Sequence, residues 1–416
     1  MKNKGRVKRH HYPLLIIILG ISLRVYCNCS YRSIDKILKL IGEQFKLDLS
    51  RYPCANTVQN WVSKMGYFNL QQTEELGGKP VGLIIDESIR LGREKLLLIL
   101  SVPWEKVQTG ALQFKDVRVV QMVTKNSWNY EKIQNVLEEL QEKCKFKIEY
   151  ILSDEGSSIK KAVKQLDVPH LPDIAHALAT CLRKTFSKNA DYQVFTKLIG
   201  GYQRKAVNQA LSYLRPPNQR SKARFMNQYG IVIWSKKMLQ KFHVLNIKEQ
   251  SFFKELPSHF SMIMSLYSCM CLNKLIIKNF RNFGLSIQTI EIARQILSGK
   301  KGIDRFVDSF TCFVEEYLIK YEEFLQKGRI GNYHVSSEII ESLFGKYKEK
   351  AAYCKLVGLT KLNLELPIHC LEKKELEQQI SQALESTFMT DLERWENLHS
   401  SENQLIKRIE FFKNGT

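Results

Sequence analysis

Two apolar stretches that each run straight into acidic residues constrain this chain more than any other feature. VGLIIDES (residues 81–88) and YILSDEGS (150–157) read as buried strands that end at Asp86 and Asp154. Short apolar runs followed by polar residues are typical of strands inside a sheet. Whether the two carboxylates can form one site therefore depends on whether their strands are neighbours in the sheet.

The order of elements around these stretches predicts the sheet. VGLIIDES, KLLLILSVPW and DVRVVQMVTKN predict three strands of an antiparallel meander, and NYEKIQNVLEELQEKCKF predicts a helix. A strand, a short helix, an extended piece and another helix follow. The order β-β-β-α-β-α-β-α is that of the RNase H-like fold, whose first and fourth strands lie side by side. We therefore predict an α/β protein with an RNase H-like mixed sheet flanked by helices, in which Asp86 and Asp154 meet.

The N-terminal region predicts three helices. The basic start and the apolar run PLLIIILGISL imitate a signal peptide or anchor, but the run is too short to span a bilayer and no cleavage site follows, which favours a core helix at 13–25. Two amphipathic helices follow, with apolar stripes formed by Ile34, Ile37, Leu38, Ile41 and Phe45, and by Val58, Trp61, Val62 and Met65.

These helices resemble a helix-turn-helix bundle, which predicts DNA contact by one face of the third helix. The side chains expected to face outward there are Thr57, Gln59, Asn60 and Lys64. An ordinary solvated face of a three-helix bundle explains the same pattern equally well.

Charge points to a polyanionic partner. Lys and Arg outnumber Asp and Glu by 63 to 42, which gives a formal charge of +21. Residues 183–224 hold ten Lys or Arg against Asp191 alone, so this segment is expected to contact phosphates, although a solvated helix pair with a loop stays possible. The residues of this segment that we predict to contact DNA phosphates are Arg204, Lys205, Arg220, Lys222 and Arg224.

The cysteines are scattered and lack paired C-x-x-C spacing. This pattern predicts reduced thiols and a cytoplasmic chain that does not associate with a membrane.

A third acid is needed to complete a metal site. Neighbouring carboxylates repel each other unless a divalent cation neutralises them, and Mg²⁺ or Mn²⁺ suits oxygen ligands. The helix EIIESLFGKYK offers Glu338 and Glu341 one turn apart, and Lys348 lies two turns beyond Glu341, placed to touch a phosphate. Both glutamates remain candidates on spacing.

These features together resemble the DDE transposases of bacterial insertion sequences, over nearly the whole chain. The resemblance implies that Asp86, Asp154 and Glu341 are the catalytic, metal-binding acids of a two-ion site. Many relatives carry a Y-x-x-R-x-x-x-E-x-x-x-x-x-x-K frame, in which Glu341 and Lys348 match, whereas His334 and Ser337 replace the Tyr and the Arg. The segment DIAHALATCLRK resembles the D-x-x-H of such enzymes.

That last segment makes His176, with Asp173, an auxiliary candidate for the metal site or a phosphate. A histidine whose hydrogen bonds are satisfied in the protein core explains it equally well.

The resemblance also implies an organisation and a function. The expected parts are a helix-turn-helix-like domain (1–75), the first part of the core (76–184), a helical insertion (185–328) and a core completion with the catalytic-Glu helix (329–416). The expected activity is metal-dependent cleavage and strand transfer of double-stranded DNA by a homodimer, in a bacterial cytoplasm at the nucleoid. An inert DNA-binding descendant and an RNase H-like nuclease are the alternatives.

Overall fold

The protein is described by a computed structural model that covers residues 7–47, 49, 51–72, 79–91, 94–104, 110–144, 146–219, 225–299, 302, 304–327, 333–351, 360–400 and 404–413. Within these ranges the strands are β1 (Pro80–Leu91), β2 (Glu94–Pro103), β3 (Arg118–Lys125), β4 (Lys147–Ser153) and β5 (His170–Pro172). The N-terminal and core helices are α1 (Leu14–Val25), α2 (Tyr31–Gln44), α3 (Ala55–Gln71), α4 (Tyr130–Cys144), α5 (Ser157–Gln165) and α6 (Ile174–Phe186).

The remaining helices complete the chain. They are α7 (Ala190–Asn208), α8 (Tyr229–Lys241), α9 (Ile247–Phe252), α10 (Phe260–Phe283), α11 (Ile287–Ser298), α12 (Arg305–Lys327), α13 (Glu338–Ala351), α14 (Glu365–His369), α15 (Lys373–Ser386), α16 (Met389–His399) and α17 (Gln404–Lys413). The predicted order of strands and helices between β1 and α6 is confirmed.

The five strands form one mixed sheet in the order β3-β2-β1-β4-β5. β1 pairs antiparallel with β2, and β2 antiparallel with β3, as the meander prediction requires. β1 pairs in parallel with β4. The first and fourth strands are therefore neighbours, which confirms the strand adjacency on which the fold prediction depends.

The chain divides into two compact units. The first comprises 1–106, 112–170 and 337–416, and the second comprises 107–111 and 171–336. The second unit is helical apart from the end of β5, and α10 packs against α6, α8, α11 and α12. The four domains proposed from the sequence stay predictions.

The first unit has a helical core that joins the two ends of the chain. Buried apolar residues of α1, α2 and α3 share one cluster with Ile368, Leu371, Leu376, Ile380, Ala383 and Leu384. The predicted stripe of α3 is buried throughout, whereas Phe45 of the α2 stripe is 71% exposed because α2 ends at Gln44. The apolar run at 13–25 forms α1, whose Ile16, Ile17 and Ile21 lie in this core.

A buried ion pair also links α1 to α14. The Arg24 guanidinium donates through Nε to Glu365 Oε1 at 2.7 Å, and both side chains are less than a tenth exposed. Tyr31 donates its hydroxyl to the same carboxylate oxygen, and Arg24 lies 4.3 Å from the centroid of the Tyr31 ring. Burial and the Glu365 carboxylate together raise the pKa of Tyr31 well above its usual value.

Replacing Glu365 with Ala would leave the Arg24 charge buried without its carboxylate partner. We expect a loss of about 3–5 kcal/mol in the free energy of unfolding, measured by urea denaturation. Glu377→Ala is the matched control, because the Lys373–Glu377 pair lies on the surface at 4.0 Å and should change stability by less than about 1 kcal/mol. Equal effects of the two substitutions would contradict the importance assigned to the buried pair.

Gly66 permits the closest approach between α3 and the C-terminal region. A Cβ atom at Gly66 would lie 1.6 Å from the carbonyl oxygen of Leu364, which belongs to the backbone and cannot rotate away. Gly66→Ala should therefore lower the free energy of unfolding by about 2 kcal/mol or more. Gly345→Ala in α13 is the control: a Cβ there meets nothing within 4 Å, so helix propensity should make it neutral or stabilising by up to about 1 kcal/mol.

Candidate active site

Asp86 lies within β1 and not at its end as predicted, because β1 continues to Leu91; it marks the point where the regular pairing with β2 is interrupted. Asp86 is paired with Leu98 of β2, and the register shifts between Asp86 and Ile89. Such irregularities bend a strand and often occur beside functional sites, since they redirect the side chains around them. The Asp86 side chain is half-buried.

The face of the sheet that Asp86 occupies follows from the alternation of side chains. Leu83 and Ile85 lie in the core formed with α4 and α5. Ile84 and Asp86 therefore point to the opposite face. α13 packs against β1, and its glutamates are the candidates for the third acid.

Asp154 follows β4 directly, beside Asp86. Ile84 of β1 is level with Leu152 of β4, so extending this parallel register by two residues brings Asp86 level with Asp154. Neighbouring strands lie about 4.8 Å apart. Asp154 Oδ1 also accepts a hydrogen bond from the Gly156 amide at 3.0 Å, which shapes the turn into α5. The structure thus brings Asp86, which lies within β1, level with Asp154, which follows the end of β4.

A serine–histidine pair beside Asp154 was not recognised in the sequence. Ser153 is fully buried, and its hydroxyl contacts both the Asp154 carbonyl oxygen and His170 Nε2 at 2.8 Å. Burial lowers the pKa of His170, and Lys160 lowers it further, while Glu155 and Asp154 oppose the shift. His170 opens the three-residue strand β5, and only the pairing of β5 beside β4 brings it here.

α13 carries both candidates for the third acid, Glu338 and Glu341, and its position does not distinguish between them. Ile340, Leu343, Phe344 and Tyr347 are buried, as predicted, so this stripe faces the protein interior. Glu338 begins the helix and is half-buried, whereas Glu341 is exposed. Lys348 is exposed, with its ammonium 5.8 Å from the centroid of the Phe344 ring.

The described residues include no group of three His, Cys, Asp or Glu side chains close enough to hold a metal ion. The neighbouring strands β1 and β4 nevertheless place two half-buried carboxylates, Asp86 and Asp154, side by side, and their oxygens are suited to Mg²⁺ or Mn²⁺. The adjacent Glu87 is engaged elsewhere, since its carboxylate accepts from Lys95 Nζ at 3.2 Å. A cation therefore fits Asp86 and Asp154, and α13 is the element on that face that offers a third ligand.

The D-x-x-H segment forms the start of α6 in the second unit. Asp173 caps the helix: its Oδ1 accepts from the His176 amide at 2.8 Å and lies 3.0 Å from His176 Nδ1. Asp173 is 1% exposed and the His176 ring is about one-third exposed. This arrangement agrees with the interpretation of His176 as a histidine satisfied within the protein.

The predicted DNA-contacting face of α3 is only partly exposed. Thr57, Gln59, Asn60 and Lys64 were expected to face outward, but all four are half-buried. The reason is that α1, α2, α14, α15 and α16 all pack against α3, which makes it a central helix of the first unit. Burial also lowers the pKa of Lys64.

The basic residues of α7 are placed differently. Arg204 and Lys205 are exposed, and they line two separate clefts of about 540 and 820 Å³ that share Lys197. Arg220, Lys222 and Arg224 lie outside the described residues.

Comparison with known proteins adds a likeness to solved structures. No family model matches the chain, and no curated protein matches it. Among solved structures, the chain is similar to a Drosophila P element transposase in a strand transfer complex, with 12% identity, a TM-score of 0.39, and coverage of 91% of this chain and 93% of that one. A likeness at this level is too low to transfer a site or an activity to this chain.

Proposed function

We propose that this protein is a DNA transposase of the DDE type, which hydrolyses a phosphodiester bond and then transfers the freed strand. The observation that carries the proposal is the parallel pairing of β1 with β4, because it brings Asp86 and Asp154 to one edge of the sheet. Phosphoryl transfer at such an edge needs carboxylates that hold divalent cations and basic groups that hold phosphates.

Different residues of the chain would bind the metal ions, position the acids and contact the phosphate. Asp86 and Asp154 would hold Mg²⁺ or Mn²⁺, with Glu341 or Glu338 of α13 as the third ligand. The bound ions would stabilise charge on the attacking and leaving oxygens. Ser153 would fix the position of Asp154 through its contacts with the Asp154 carbonyl and His170. Lys348 would contact a phosphate near the scissile bond.

DNA binding would depend on the surface charge of the protein. Arg204 and Lys205 are exposed on α7 and lie within the segment that carries ten basic residues and one acid. Contacts of this kind position DNA without reading its sequence. Because α3 is a central packing helix, we do not assign it the recognition of DNA ends. Joining two element ends would require a second copy of the chain.

Asp154→Asn should abolish cleavage while leaving DNA binding intact, because it removes a negative ligand and keeps the size of the side chain. We expect cleavage to fall by roughly 100-fold or more. The measurement is Mg²⁺- or Mn²⁺-dependent nicking and strand joining on duplex DNA that carries the native flanks of this reading frame.

Glu87→Gln is the matched control for this experiment, because Glu87 lies beside Asp86 yet pairs with Lys95. It should cleave like the wild type. Full cleavage activity of both Asp86→Asn and Asp154→Asn would contradict the proposal.

An RNase H-like nuclease is the second candidate, and the packing of α3 favours it, because the four residues predicted to contact DNA on that helix are half-buried. The two functions differ in substrate. Cleavage of an RNA–DNA hybrid in preference to duplex DNA, without strand joining, would establish the nuclease instead.

The third acid can be identified by comparing Glu341→Gln with Glu338→Gln. We expect Glu341→Gln to reduce cleavage as severely as Asp154→Asn does, since its spacing to Lys348 matches the transposase frame, and Glu338→Gln to reduce it less than tenfold. Thermal unfolding of both variants serves as the folding control. The reverse ranking would assign the role to Glu338.

A further inference from the structure

The outer face of α8 and α10 carries an organised set of basic groups that the proposed active site does not use. Lys236 of α8 lies over the Tyr267 ring of α10, with its ammonium 3.6 Å from the ring centroid. Lys274 of α10 lies over the Tyr229 ring of α8 at 3.4 Å. The two contacts are reciprocal, so the helices run antiparallel and each supplies one lysine and one tyrosine.

These contacts fix the position of two positive charges. A lysine over an aromatic face is held electrostatically and loses less conformational freedom when it binds a ligand. Lys236 and Tyr229 are seven residues apart, as are Lys274 and Tyr267, so the two ammonium groups lie about 10.5 Å apart along the helices. That distance corresponds to about three steps along one strand of duplex DNA.

Neither α8 nor α10 contains an Asp or Glu of its own, although Glu255 precedes α10 and the Asp304 carboxylate accepts from Ser265 of α10. Residues 226–248 contain four lysines and no Asp or Glu, and residues 256–290 contain three Lys or Arg and no Asp or Glu. Glu249, the next acid along the chain, is buried and accepts the Tyr213 hydroxyl. An excess of one charge on a surface attracts a partner of the opposite charge.

The acids of this unit are concentrated elsewhere. α12 carries Glu315, Glu316 and Glu322, which pair with Arg294 at 2.7 and 2.8 Å and with Lys184 at 3.2 Å. Charge is therefore unevenly distributed within the second unit: three acids of α12 form ion pairs with Arg294 and Lys184, whereas α8 and α10 carry lysines and no acid of their own.

We propose that the α8–α10 face binds the phosphate backbone of duplex DNA, with Lys236 and Lys274 as its two fixed contacts. The choice of DNA rests on the proposed function. The contact is independent of sequence, because it reaches phosphates and not base edges. It adds a second DNA-binding surface to the one that carries Arg204 and Lys205.

The rival occupant is an anionic lipid surface. The helical stretch Leu256–Phe283 is long and apolar enough to cross a membrane by length and composition, although half of its most apolar window is buried inside the protein, as happens in an ordinary core helix. The lysines that define the face lie outside the apolar side of α10, which favours a polyanion on the surface over insertion.

The test is the salt dependence of binding to random-sequence duplex DNA, with the full-length protein in a chelator so that no cleavage occurs. Lys236→Gln/Lys274→Gln should weaken binding and make the log–log slope of affinity against salt shallower by about 1.8, since each phosphate contact contributes about 0.9. Lys236→Arg/Lys274→Arg should keep the wild-type slope, because it keeps the charges.

Lys320→Gln is the matched control. Lys320 lies in the same unit with its ammonium 4.6 Å from the Tyr317 centroid, but on the acidic helix α12. Its removal should leave the slope unchanged. An equal loss in this control would attribute the effect to general charge and overturn the inference.

The remaining outcomes separate this inference from the proposed function. Wild-type DNA binding with an unchanged slope in the double glutamine variant overturns the α8–α10 surface and leaves the transposase proposal intact. Absence of DNA binding by the wild type, together with absence of cleavage when Mg²⁺ is supplied, overturns both. Binding to vesicles of phosphatidylcholine and phosphatidylserine without binding to DNA would assign the face to lipid and overturn the inference.

Discussion

The parallel pairing of β1 with β4 is the interaction on which the candidate site depends. β1, β2 and β3 form a meander, so β3 leaves the sheet in the same direction as β1. The chain then returns through α4 and places β4 on the far side of β1, in parallel. A parallel neighbour requires a crossover of this kind, and the apolar stripe of α4 covers the sheet during it. Without this crossover, β4 would not lie beside β1, and Asp86 and Asp154 would not be neighbours.

The helices at the two ends of the chain form a single core, and this changes the interpretation of the N-terminal region. α3 contacts the C-terminal helices closely enough to require Gly66, and α1 is tied to α14 through Arg24 and Glu365. Because several helices pack against α3, the proposed phosphate contacts are assigned to basic residues of the second unit instead.

Most of the fold from β1 to α6 could be predicted from the sequence, because periodicity and turn residues are local properties. The buried stripe of α13 was predicted for the same reason. The residues of α3 that were expected to face outward are half-buried, since a stripe of apolar residues shows one buried face and cannot show that other helices partly cover the remaining faces. Phe45 was placed in a core because the periodic pattern continues past the residue where α2 ends.

The sequence alone shows that two apolar stretches run into aspartates, that a later helix carries two glutamates and a lysine, and that the chain is strongly basic. The packing of the chain sets the other features: the two strands are neighbours, His170 contacts Ser153 beside Asp154, and lysines of α8 and α10 each lie over a tyrosine of the other helix. The physical reason is the same in each case. Residue types and their periodicity act over a few turns of chain, whereas a contact between distant residues depends on how whole strands and helices pack.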